Sequence, residues 1–378
     1  MRKGCAADLQ NGTISRRSVP NFSLRSIFFS NPDGEDGGAS LCRVDHFARA
    51  DYFDDAMQKL IIIFILIAGA LTPIAHGSVA LSALDQYLVA HGYAGAQFIQ
   101  FQNTYRLPIS ANGKVGDLTI DTGAPSSIIY TKSLNKFGLT YKDSGVAVHG
   151  VFGKGSENFG ITSIPTLTMG NCTLLNVKAA VVSAPGGVGI YQNYGASDGL
   201  FGLREMVRYG AVLDLANHLL LVHPGGPARE VSPGIRSLLT RQGYTAVDLE
   251  IAAGHLKVAA VVNGAPCRLL VDTGAFLTTL DQQFARTARI GGFNSGLYAH
   301  GFGTKARPVQ VSHFPEFKIG GFTIKNASVA ISDLDPELLG KTEKSHVAGL
   351  LGAEYLGLHG GVIDLNSLTL YLRPQAKP

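Results

Sequence analysis

The chain of 378 residues has no tryptophan, four cysteines and a charged fraction of only 16%. Each shortage closes off a class of protein. Cys5 and Cys42 fall in an amino-terminal stretch that stands apart from the rest, which leaves Cys172 and Cys267 at unrelated positions and implies no disulfide framework. No Cys/His spacing resembles a zinc site, and no metal or other cofactor is expected. The net charge of +4 is small, Lys and Arg are scattered, and aromatics do not interleave with basic clusters, so nothing argues for nucleic acid. The apolar run Leu60–Leu71 has twelve residues, short of the ~20 that a spanning helix needs.

That run belongs to a leader. Residues 1–56 are polar, with no sustained periodicity, and read as a disordered extension or a mis-assigned start. Residues 57–80 follow as Met57-Gln-Lys59, the apolar run, Pro73, and small-residue sites at Ala75-His-Gly77 and Ser78-Val-Ala80. This is the order of a secretory signal peptide, and extension of the run through Ile74 keeps an uncleaved membrane anchor over residues 60–75 as the alternative. Both readings place the remainder outside the cytoplasm, in the periplasm or extracellular space.

What the sequence does have is repetition. Leu118-Thr-Ile-Asp-Thr-Gly-Ala124 recurs as Leu269-Leu-Val-Asp-Thr-Gly-Ala275, 151 residues later. The offset also relates His91-Gly92-Tyr93 to Gln242-Gly243-Tyr244, Asn112-Gly113 to Asn263-Gly264, and His149-Gly150 to His300-Gly301. Past that point it becomes 150, through Phe152-Gly153 with Phe302-Gly303, Gly199-Leu-Phe-Gly202 with Gly349-Leu-Leu-Gly352, and Val212-Leu-Asp-Leu215 with Val362-Ile-Asp-Leu365. One extra residue, most simply Val151, accounts for the difference. The chain is therefore an internal duplication, with lobes at residues 81–222 and 233–378 and a Gly/Pro-rich linker at 223–232.

Each copy is expected to open with a short helix, capped at Ser82 or started at Ser232-Pro233, and then to run through β-rich segments separated by turns. The Asn-Gly pairs read as type I′ hairpin turns feeding the Asp-bearing strands. Strands are expected at Ile164–Met169 and Phe314–Ile319, and each copy closes with a Gly-Leu-x-Gly turn, a brief helix and a terminal strand. The predicted class is all-β, two pseudo-symmetric barrel lobes with the functional site between them.

Asp121 and Asp272 stand at equivalent places, so a pseudo-twofold axis could bring them together. Two close carboxylates cannot both ionise and would share a proton. The ionised member can then take a proton from a bound water while the protonated member gives one to a carbonyl under attack. Thr122 and Thr273 suit hydrogen bonding across the interface, and Gly123, Ala124, Gly274 and Ala275 complete the loops. Asp214 and Asp364 also repeat but precede turns, which suits a structural role.

These motifs resemble the retropepsin-like aspartic peptidases, with two catalytic domains fused in one chain. The resemblance covers residues 82–374 and is carried by Asp-Thr-Gly-Ala twice and by the turns Leu200-Phe201-Gly202 and Leu350-Leu351-Gly352 that brace the Asp loops in that family. The ending Gly-Leu-Leu-Gly-x-x-x-Leu…Val-Ile-Asp-Leu is similar to that of exported bacterial members. The resemblance implies an aspartic endopeptidase with a polypeptide substrate, working as a monomer. It also implies two flaps, hairpins around His149–Gly155 and His300–Lys305, with His149, Gly150, Phe152, His300, Gly301 and Phe302 facing substrate. Pepsin-like enzymes usually carry Ser or Thr after Asp-Thr-Gly and a flap Tyr, and this chain shows neither. The alternative is an inactive exported peptide-binding module of the same fold. A two-carboxylate glycosidase is disfavoured, because it needs unlike surroundings for its two carboxyls.

Overall fold

The Asn-Gly turns set the strand pairing of both lobes. In the computed structural model Asn112 and Gly113 have φ of 50° and 76°, and Asn263 and Gly264 have 49° and 78°, the left-handed pair that a type I′ turn requires. They fold Thr104–Ala111 onto Lys114–Asp121 and His255–Val262 onto Ala265–Val271, so that an Asp stands at the carboxyl end of each second strand. The structure describes residues 28–30, 82–101, 104–150, 153–184, 197–300, 307–339 and 347–375.

In the first lobe eight strands run in one sheet, which curls until Ser110 and Ala111 pair with Thr168 and Leu167. The second lobe closes at the equivalent place, Val261 against Lys318. Burial alternates along the strands, as a sheet with one face on a core demands. Leu107, Ile109 and Ala111 point inward, as do Cys172, Leu174 and Val177 across from them. The expected strands Ile164–Met169 and Phe314–Ile319 are the ends of longer ones, Gly153–Met169 and Arg307–Ile319.

Each copy ends in two short strands rather than one. Val212–Asp214 pairs antiparallel with Leu219–Val222, and Val362–Asp364 with Thr369–Leu372. The reason lies in the two aspartates: Asp214 accepts from the amide and side-chain nitrogen of Asn217, and Asp364 accepts from those of Asn366, so each folds the chain back on itself. The two hairpins then join across the lobes, with Leu213 opposite Ile363. Those residues are equivalent in the duplication, so the pseudo-twofold axis passes between them. With Ala94–Gln97 at one side and Thr245–Ala252 at the other, six strands cross from lobe to lobe.

The opening helices, Ala83–Ala90 and Ser232–Arg241, cover one face of this shared sheet, burying Leu84, Leu88, Ile235 and Leu239 against Val212, Leu221, Val362 and Tyr371. Ser82 caps the first through a reciprocal pair of bonds with Asp85. Ser232 differs: it is the first helical residue of the second, and its hydroxyl donates to Asp364 at 2.8 Å. The linker also buries Ala228 and Val231 in this layer.

Phe28–Ser30 forms a short strand antiparallel to Tyr298–His300. The leader at residues 57–80, with its apolar run, lies outside the described residues. Among the described residues no helix is long and apolar enough to cross a membrane.

Candidate active site

Asp121 ends its strand, and Asp272 follows directly on its own. Each strand is held from the side by a parallel neighbour made from the Gly-Leu-x-Gly turn: Gly202 lies opposite Asp121, and Leu351 opposite Val271. The chain after each Asp turns sharply, and the turn delivers two amides to the carboxylate. Gly123 and Ala124 donate to Asp121 Oδ1 at 2.9 and 3.0 Å, and Gly274 and Ala275 donate to Asp272 Oδ1, both at 2.9 Å.

The loops lock together through the threonines. Thr122 Oγ1 donates to the Val271 carbonyl at 2.7 Å, and Thr273 Oγ1 donates to the Ile120 carbonyl at 3.0 Å. Both threonines are buried at the interface between the lobes. Each Asp in turn stands over the other lobe's glycine. A Cβ placed on Gly123 would come within 2.4 Å of Asp272 Cγ, and one on Gly274 within 2.5 Å of Asp121 Cγ. Neither glycine has a positive φ, so space for the opposite carboxylate, not backbone conformation, requires glycine there.

The structure thus brings Asp121, Thr122, Gly123, Asp272, Thr273 and Gly274 to one place. Ala124 and Ala275 sit just beneath, in small apolar clusters with Tyr130 and Leu200 in one lobe and with Phe276 and Leu350 in the other. The two aspartates are 1% and 2% exposed, and burial holds the Asp272 carboxyl well above the usual range. The neighbouring charge of Asp121 and a hydrogen bond between the two side chains push it in the same direction, against the amide bonds that favour its charged form.

A model of the aspartyl protease family matches the chain twice, over residues 107–204 and 258–355. The chain belongs to the aspartyl protease family. The two matches are themselves 151 residues apart, so each lobe carries one copy of the matched region, as in two fused retropepsin-like units. No curated protein matches the chain.

The stretches expected to act as flaps adjoin paired strands, Lys142–Gly150 with Gly153–Met169 and Phe293–His300 with Arg307–Ile319, while residues 151–152 and 301–306 lie outside the described residues. His149 and Gly150 lie opposite Lys154 and Gly153, and His300 closes its strand. Phe152, Gly301 and Phe302 lie outside the described residues.

Two features escaped the sequence reading. Both hairpins carry a bulge pinned by a serine: Ser144 Oγ donates to the Phe159 carbonyl and Ser295 Oγ to the Val309 carbonyl, both at 2.5 Å. The repeated Asp143-Ser-Gly and Asn294-Ser-Gly, again 151 apart, was the available signal. The other is a carboxylate behind each Asp loop, Glu205 and Glu354, which donor groups of Ser127 and Thr278 meet. These two glutamates are not equivalent in the duplication and left no repeat to find. Among the described residues, no group of three or more His, Cys, Asp or Glu is placed to hold a metal ion.

Proposed function

We propose that the protein is an aspartic endopeptidase in which Asp121 and Asp272 together activate a water. The observation that carries this reading is the raised Asp272 carboxyl facing Asp121 through a side-chain hydrogen bond, inside loops cross-braced between lobes. One proton shared by the pair is the state in which both halves of the chemistry are available. Oδ1 of each residue accepts from two amides, and the side-chain hydrogen bond between the two carboxyls is where the shared proton would lie.

In this reading the ionised carboxylate removes a proton from the water as its oxygen bonds to the carbonyl carbon of the substrate. The protonated carboxyl gives its proton to the carbonyl oxygen, forming a neutral tetrahedral diol. The protonated carboxyl of the dyad then gives its proton to the amide nitrogen while the ionised one takes the proton of a diol hydroxyl, the C–N bond breaks, a carboxylic acid and an amine leave, and the dyad again holds one proton. No covalent enzyme intermediate forms. The hairpins would close over an extended peptide. The active unit would be a single chain, since both aspartates belong to it, and the order of residues 57–80 supports an exported location, with cleavage near Ala75–Ala80 or an anchor at 60–75.

Digestion of a diverse peptide pool at several pH values, wild type beside Asp121→Asn, tests the proposal. Cleavage by the wild type that the variant lacks supports it. A wild type that binds peptides and cleaves none at any pH would instead mark an inactive peptide-binding module.

A further inference from the structure

Ser127 and Thr278 stand six residues after Asp121 and Asp272, and each is tied to a carboxylate on the helix that follows the Gly-Leu-x-Gly turn. In the first lobe Glu205 Oε2 accepts from the amide of Ser127 at 3.2 Å and from its hydroxyl at 3.1 Å. The Ser127 hydroxyl accepts from the Gly202 amide at 3.1 Å, which closes a ring joining Asp loop, turn and helix. In the second lobe Glu354 Oε1 accepts from the Thr278 amide, and the Thr278 hydroxyl accepts from the Gly352 amide at 2.9 Å. The two braces do the same work from different helix positions.

That difference changes their electrostatics. The first-lobe residue equivalent to Glu354 is Arg204, and its Nε lies 3.1 Å from Glu205 Oε1. Glu205 therefore has a cation at one oxygen and two donors at the other. Among the described residues Glu354 has no such cation. Its Oε2 is sealed from solvent without a hydrogen-bond partner, although part of the side chain remains exposed. This oxygen lies on the turn itself, since a Cβ on Gly352 would come within 2.5 Å of it. The titratable groups facing it are Tyr105, which reaches across from the first lobe to donate to the Ala353 carbonyl at 3.3 Å, and Tyr355, whose hydroxyl is bonded to the Ser328 backbone. Neither can neutralise a carboxylate.

A sealed oxygen without a donor is tolerable on a neutral carboxyl and costly on a charged one. Burial accordingly pushes Glu354 up to about 7, against the opposing bonds from Thr278 and the weaker pull of the backbone amides of Glu354 and Tyr355. Building on the endopeptidase reading, we infer that Glu354 is a proton-dependent positioning residue of the second Asp loop. Neutral, it holds Thr278 and the Gly349–Gly352 turn under Asp272. Ionised, its unpaired oxygen turns toward water and the brace loosens, while the first lobe, held by Glu205 and Arg204, is unchanged. The two halves of the dyad thus lose their support at different pH.

The test compares wild type, Glu354→Gln and Glu205→Gln. Glutamine at 354 keeps the carbonyl acceptor and cannot ionise. Between about pH 5 and about pH 8 wild-type thermal stability should fall more steeply than that of Glu354→Gln, and the alkaline limb of kcat should move to higher pH in that variant alone. Protection of the wild-type Thr278 amide from hydrogen exchange, corrected for intrinsic rate, should drop roughly tenfold or more over the same range, with Ser127 unchanged. Exchange and unfolding need no catalysis, so an inactive protein would overturn the endopeptidase reading and still decide this one. Equal exchange behaviour at Thr278 and Ser127, or matching pH profiles of wild type and Glu354→Gln, overturns the assignment. Should Glu354→Gln fail to fold, the wild-type exchange measurement decides alone.

Discussion

The amide of Thr122 donates to the hydroxyl of Thr273, and the amide of Thr273 donates to the hydroxyl of Thr122, both at 3.0 Å. Each hydroxyl also donates to the opposite lobe's strand, so each threonine closes a donor and an acceptor across the interface. Replacing either with valine keeps the shape and strands a buried amide and a buried carbonyl. Leaving such groups unpaired costs about 1–3 kcal/mol each. Thr122→Val should lower the unfolding temperature and reduce kcat, with serine at the same position restoring most of both. The double valine variant should cost less than the sum of the singles, because the pair is one network. Additive losses in denaturant unfolding would show that the two act separately.

Asp121→Asn and Asp272→Asn should each reduce peptide hydrolysis by roughly 10⁴-fold or more, since the acid and base steps are lost together. Stability should move the other way at neutral pH. The folded-state carboxyl of Asp272 lies above the ordinary carboxylate range, so it contributes stability at pH below about 4 that is lost as pH rises through its folded value. Asparagine at 272 removes that loss, and the unfolding temperature of the variant should depend less on pH above about 4 than the wild type's. Substantial activity in either variant would sink the dyad assignment.

Gly123→Ala and Gly274→Ala should separate folding from catalysis. Neither position needs a glycine backbone, yet the added methyl would meet the opposite carboxylate at 2.4 to 2.5 Å. The aspartate must move, and a displacement near ~1 Å at a reacting group can cost about 10²-fold in rate. Far-ultraviolet circular dichroism should be unchanged while kcat falls. A variant with wild-type kcat would mean that the carboxylates have freedom the site does not show.

Much of this was legible in the sequence because the duplication wrote it twice. Asp121 with Asp272, Thr122 with Thr273, and the two Asn-Gly turns were found as pairs, and the structure places each pair symmetrically. What a repeat could not reveal was how the copies join. Turns after Asp214 and Asp364 were legible, but Leu, Val and Ile on both sides made each segment read as one terminal strand; the Asx-type bonds to Asn217 and Asn366 fold it into a hairpin whose first strand pairs with its counterpart in the other lobe. Glu205 and Glu354 were invisible for the opposite reason, because the lobes place the same brace one helical position apart.

The shared sheet makes a prediction about assembly. Six strands cross between lobes with Leu213 opposite Ile363 on the axis, and both Asp loops lie in the same chain. Activity per molecule should therefore stay constant on dilution, with a monomer in sedimentation. A steep loss that tracks a dimer population would contradict the fused-lobe account.

The last prediction concerns the residues after Asp-Thr-Gly. In pepsin-type sites, where the pair titrates at strongly acidic pH, a hydroxyl there can donate to the carboxylate and favour its charged form. Here the positions are Ala124 and Ala275, 8% and 0% exposed, with no donor but their amides, so the shared proton is held to higher pH. The activity optimum should fall at about pH 4–6, with a bell-shaped profile that belongs to the pair. Ala124→Ser and Ala275→Ser together should shift the acidic limb downward, because an added donor lowers the pH at which the second carboxyl gains its proton. The first substitution should be the better tolerated, since Ala275 is fully packed against Phe276 and Leu350 and a hydroxyl there must be buried. A wild-type optimum near about pH 2, or above about pH 8, would contradict this account of how the two alanines set the pair.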